Sequence, residues 1–164
     1  MEYRIEKLES FKIVGFKKCT TNANMEGMRD CPDFWKQIIA EGKNENLAKL
    51  ITSPPYGLIG ANVYNIDEKD AKKFDYYIGA ATNLPTPKGL EEYIVPAMTW
   101  AVFPCTRTTS GETEINIVMK WAPSADYELL NTGYETGDMI SAAPDLEVYK
   151  MGEDVEIWVP VKTK

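Results

Sequence analysis

In the segment LEVYKMGEDVEIWVPVK, Glu147 stands two residues before Tyr149, and Trp158 lies further along the same segment. A carboxylate in a short apolar run is costly to bury unless a cation or hydrogen-bond donors compensate the lost hydration. Two chemistries suit such a group. It can hold a cation, with neighbouring rings adding cation–π attraction of ~0.5–2 kcal/mol each. Alternatively it can serve as a base or nucleophile, with Tyr149 as the acid. Other chemistries lack their residues. The chain has no histidine, which removes His-based triads, the usual transition-metal sites and His-ligated haem. Cys19, Cys31 and Cys105 are scattered without metal-ligand spacing. The segment YGLIG has neither the lysine nor the spacing of a phosphate loop. No cofactor and no metal are expected.

The elements that must position these residues are legible in outline. Residues 11–19 read as a strand, rich in apolar and β-branched side chains. Asp30, Cys31 and Pro32 look like a helix opening, and Trp35, Ile38 and Ile39 form an apolar stripe behind it. Gly42 is placed to end that helix, with Leu47 and Leu50 continuing the apolar side. Residues 56–65 and 75–82 read as strands around a charged turn, and NLPTPKG (83–89) as a connector. A strand then lies within 93–105. A helix is expected over 112–121, although its β-branched content also suits a strand. Two final strands, 146–150 and 155–162, flank the turn MGED.

This order repeats itself. Val14-Gly15-Phe16 corresponds to Ala101-Val102-Phe103, Asn62-Val63-Tyr64 to Glu147-Val148-Tyr149, and Asp75-Tyr76-Tyr77-Ile78 to Glu156-Ile157-Trp158-Val159. One domain, 1–164, is expected, built from repeats at about 1–85 and 90–164. Its fold class is α+β: two pseudo-symmetric βαββ units forming antiparallel sheet, helices on one face, and a ligand cleft between the repeats. By strand alternation Val155, Ile157, Val159 and Val161 share one side, expected beneath the helices together with Leu146 and Val148. The other side is expected to carry Tyr64, Tyr77, Tyr149 and Trp158 around Glu147, an aromatic surface of the kind that lines small-molecule sites. Trp35 and Trp121 are expected in the core, Tyr56 and Tyr134 at a rim, and the cysteines as small hydrophobes.

The stretches TWAVFPC (99–105), PDLEVY (144–149) and EIWVPVK (156–162) resemble the GyrI-like small-molecule-binding superfamily, which includes the effector-binding domains of AraC- and MerR-type regulators. The resemblance runs over roughly residues 1–162. It implies a pair of βαββ units about a pseudo-twofold axis. It also implies a cleft in which an acidic residue, here Glu147, meets cationic ligands between aromatic walls, here Tyr149 and Trp158, with Trp100 on a strand beside them. Tyr64 and Tyr77 join that set by the repeat. No helix-turn-helix segment is legible in the sequence, so DNA binding is not carried over.

Composition agrees with a small-molecule partner. The net charge of −7, without any Lys/Arg cluster, argues against nucleic acid and favours a cationic ligand. No segment reads as a membrane span or signal peptide, and the odd cysteines point to a reducing cytoplasm. The expected function is a stand-alone protein that binds an aromatic or cationic hydrophobic molecule. A hydrolase using Glu147 and Tyr149 on small electrophiles is the alternative. The resemblance also leaves room for a regulatory protein as partner.

Overall fold

The structure is a computed structural model, and it describes residues 1–132 and 142–164. The first repeat contains β2 (Phe11–Thr21), α1 (Glu26–Ala40), α2 (Lys43–Ala48), β3 (Leu58–Val63) and β4 (Lys73–Ala81). The second contains β6 (Met98–Thr106), α3 (Ser110–Asn116), β8 (Asp145–Tyr149) and β9 (Asp154–Thr163), with a short β7 (Tyr127–Leu129) against β9. Each repeat has a leading strand, β1 (Arg4–Leu8) or β5 (Glu91–Val95). These leaders are exchanged: β1 pairs with β6 of the second repeat, and β5 with β2 of the first. All pairings are antiparallel, and the strand order is β1-β6-β9-β8-β3-β4-β2-β5. The pseudo-twofold passes between β3 and β8, where the repeats meet.

Helix boundaries follow local chemistry. α1 starts at Glu26, earlier than Pro32 indicates, so the proline lies inside the helix. A proline there cannot donate to the carbonyl of Met28, but Met28 is exposed, and water can take that role. The helix buries Gly27, Phe34 and Ile38 and leaves Ile39 outside. Gly42, at φ 69°, makes the left-handed break before α2. α3 settles the ambiguous segment as helix and continues through a wider π-type turn over Ile117–Trp121.

The sheet curls steeply. β1 and β2 are joined only by Glu9 and Ser10, a link that spans at most about 11 Å. Yet six strand-to-strand steps separate them in the sheet, about 29 Å if it were flat. The inner face therefore closes on itself. Ile13, Val95, Val102 and Leu146 pack there with Trp100, whose ring lies 6.4 Å from Phe11 and 6.1 Å from Trp158. The helices cover the outer face in two groups. Phe34, Ile38 and Leu47 pack on Phe74, Tyr76 and Ile78. Ile117 and Trp121 pack on Phe103, Val155, Ile157 and Val159.

Candidate functional site

Both faces of the sheet are buried, and this divides the candidate residues. In the β8–β9 register Glu147 lies opposite Ile157 and Tyr149 opposite Val155, so both point to the helix-bearing face. Leu146 lies opposite Trp158 and points inward. The expected grouping of Glu147 and Tyr149 with Trp158, away from the helices, is thus reversed. Trp158, Trp100 and Tyr77 belong to the inner core, at 3%, 0% and 5% exposure, and do not border Glu147. The first repeat shows the same reversal. Tyr64 packs with Tyr76 and Phe74 on the helix face, while Tyr77 lies opposite Ala61 on the inner face. Alternation within each strand holds. The phase between strands is set by hairpin register, and hydrophobicity cannot reveal it when both faces are apolar.

Around Glu147 the structure gathers side chains from both repeats. The Tyr149 hydroxyl donates to Glu147 Oε2 at 2.6 Å. The Tyr149 ring meets the Trp35 ring of α1 edge-on, with centroids 4.7 Å apart. Trp35 Nε1 donates to the Tyr76 hydroxyl at 2.7 Å. That hydroxyl lies over Gly60, the cross-strand neighbour of Glu147, in space that a Cβ would occupy. Tyr64 stacks obliquely on Phe74, with centroids 5.2 Å apart. The Arg107 guanidinium stands 5.7 Å from the centre of the Tyr149 ring.

The titratable groups of this strip are perturbed by their surroundings. Glu147 and Tyr149 are half-buried and Glu114 is exposed, yet protein surrounds all three closely enough to perturb them. Burial pushes the Glu147 carboxyl up, opposed by the hydrogen bond from Tyr149. Burial also raises Glu114, with the charges of Glu147 and Asp145 adding. The hydroxyls of Tyr149 and Tyr76 are held above the tyrosine range by burial and then by the charge of Glu147. Burial, with Glu147 adding, pushes the Cys31 thiol up to about 12, which keeps it a thiol. Among the described residues, no lysine or arginine forms an ion pair with Glu147 or Glu114. Glu156 on the neighbouring strand is the contrast. Burial would raise it, but Arg4 at 2.8 Å and the Trp158 indole at 3.0 Å hold its carboxyl below the usual range.

The family is decided by the whole chain. Residues 1–162 match the model of the GyrI-like small molecule binding domain. The chain belongs to that family. Its structural likenesses agree with the fold just described. SAV2435, in a structure bound to tetraphenylphosphonium, is 22% identical with a TM-score of 0.75, over 99% of this chain and 94% of that one. A Staphylococcus aureus MU50 protein described as a transcription regulation protein is 20% identical with a TM-score of 0.74, over 99% of each chain. EcmrR, in a complex with DNA, is 15% identical with a TM-score of 0.59; the match covers 99% of this chain and 58% of that one. No curated protein matches.

Within this GyrI-like domain three residues around Glu147 escaped the sequence reading. Tyr76, and not its neighbour Tyr77, takes the helix face, because the β3–β4 register fixes a phase that alternation within one strand does not reveal. Trp35 packs against the core group under α1, as its helical stripe implies, but it is half-buried and also touches both Tyr76 and Tyr149. Glu114 carried a usable signal: it starts the stripe Glu114, Ile117, Val118, Trp121, where an apolar residue is expected. Tyr56 is exposed, and Tyr134 lies outside the described residues. Two shallow hollows, of ≈ 540 and ≈ 460 Å³, flank Lys7 and Leu8, and none of the candidate residues lines them. They lie along chain links at strand ends and carry no comparable cluster of titratable groups. Among the described residues no group of side chains is arranged to hold a metal ion, and no helix is long and apolar enough to cross a membrane.

Proposed function

We propose that this GyrI-like domain binds an aromatic, lipophilic cation on the strip between α1 and α3, over Glu147. One observation carries this above the rest: Glu147 is a carboxyl inside a frame of Trp35, Tyr76 and Tyr149, reached by water but ion-paired by no described residue. Burial disfavours its charge, and a bound cation would restore the lost stabilisation. The rings supply apolar contact and cation–π attraction to the same ligand. The tetraphenylphosphonium held by SAV2435 is of this chemical class, which supports the assignment. The three free cysteines suit a reducing, cytoplasmic setting. In this role the domain sequesters or senses its ligand.

Calorimetry with tetraphenylphosphonium and the neutral triphenylphosphine oxide tests the proposal. Glu147→Gln is expected to weaken the cation by about tenfold or more while changing the neutral compound by less than about twofold. Equal losses for both would remove Glu147 as the charge anchor. The hydrogen-bonded pair of Glu147 and Tyr149 also keeps the hydrolase alternative in view, with Glu147 as base or nucleophile and Tyr149, held protonated by burial, as acid. Turnover of an activated ester that disappears in Glu147→Gln would favour that role.

A further inference from the structure

α3 and its continuation present Glu114, Ile117, Val118 and Trp121 at i, i+3, i+4 and i+7, one side of a helix. Ile117 and Trp121 are buried against β6 and β9, so this side faces the sheet. Its first position should therefore be apolar and covered. Instead it is a carboxylate, and water reaches it. A sheet-facing side chain that stays exposed overhangs open space. That space adjoins the strip around Glu147: Tyr149, which hydrogen-bonds Glu147, packs against the cluster of Ile117 and Trp121, and Ile157 in the same cluster lies opposite Glu147. The charges felt by Glu114 agree, with those of Glu147 and Asp145 adding to its burial, and Glu114 in turn acts on Cys31 of α1, Tyr64 after β3, Cys105 of β6 and Tyr149 of β8.

We infer that Glu114 is a second anionic anchor of this site, so that the domain selects aromatic ligands with two positive centres over ligands with one. The inference rests on the proposed binding of a cation over Glu147 and adds the ligand's charge number. Its physical basis is like-charge crowding. Two carboxylates close together beside one strip repel, and that repulsion favours a proton retained by the pair in the free protein. A monocation compensates one of them. A dication compensates both, and the second contact is absent for every singly charged competitor.

The test compares two probes by calorimetry at pH 8 and fixed ionic strength: tetraphenylphosphonium, and a bis(triphenylphosphonium) joined by a short alkyl chain. The second aryl cluster adds apolar contact in any variant, so the readout is the change in the ratio of the two Kd values. Glu114→Gln is expected to cut the preference for the dication by on the order of tenfold, as losing one charge pair near a protein surface implies. Glu114→Asp should keep most of it. An unchanged ratio in Glu114→Gln overturns the inference. A measurement on the unaltered protein guards against a variant that does not fold: between pH 8 and pH 5 the preference should shrink as the pair takes up its proton, and a flat ratio also overturns the inference. If the unaltered protein binds neither probe, the proposed function itself fails, a result distinct from lost selectivity.

Discussion

At the scale of single residues, the Glu147–Tyr149 pair would set the charge state of the proposed site. The hydrogen bond from Tyr149 opposes the burial that raises the Glu147 carboxyl. Tyr149→Phe removes that opposition while keeping the ring that faces Trp35. The carboxyl should then titrate at higher pH, and a cation should lose its partner over a wider acidic range. The expected outcome is an upward shift in the pH midpoint of tetraphenylphosphonium binding, followed by quenching of tryptophan fluorescence. A midpoint that stays still or moves down would mean that Tyr149 does not tune Glu147. Arg107 is a bystander in this comparison, since its contact is with the ring face and the ring survives.

At the scale of elements, the junction of β8, β3 and β4 would form the floor of the proposed site, and Gly60 leaves room there for Tyr76. The Tyr76 hydroxyl occupies the volume that a side chain at position 60 would need. Tyr76 is buried at 2% exposure and is held by Trp35, so it cannot swing away cheaply. Gly60→Ala is therefore expected to destabilise by about 1–3 kcal/mol, the usual range for overpacking. In a domain of this size that lowers Tm by about 2–4 °C per kcal/mol. Adding Tyr76→Phe should recover part of the loss, because the overlapping oxygen is gone. No recovery in the double variant, measured by calorimetric melting, would show that some other contact limits the position. The same junction joins the repeats through β3 and β8, so a floor defect there should also weaken ligand binding.

At the scale of the whole molecule, the curled sheet packs its inner face as a core and leaves the outer face to the helices and the proposed site between them. Such a site is expected to cost stability. The Glu147 and Glu114 carboxyls are raised in the folded state. A carboxyl raised on folding favours the native state at low pH, where it carries its proton. That contribution fades as pH climbs from the ordinary carboxylate value through the folded one. Ligand-free protein should therefore lose stability from pH 5 to pH 8 through these groups, whereas Glu147→Gln should lose less. The variant's Tm advantage over the unaltered protein should be larger at pH 8 than at pH 5. An advantage that is equal at both pH values, or larger at pH 5, would contradict the raised carboxyls. Glu156, held below its ordinary value, contributes in the opposite sense and acts at lower pH.

What the sequence determined by itself is whatever depends on neighbours along the chain. Strand alternation, the helical stripes, the break at Gly42 and the repeated order of elements all follow from local spacing, and the residue types of TWAVFPC, PDLEVY and EIWVPVK carried the family likeness. The repeat pairing even preserved faces: Tyr64 and Tyr149 share the helix side, and Tyr77 and Trp158 share the inner side. Tertiary structure alone decided which strands' faces coincide, because a one-residue difference in register exchanges the two sides and both sides here are apolar. It also decided the exchange of β1 and β5 between the repeats. It brought Trp35, Tyr76 and Glu114, from three separate elements, to a carboxylate that alternation had placed with Trp158. Pairing across a curled sheet joins residues that no pattern along the chain connects, and the surroundings of Glu147 are set by that pairing.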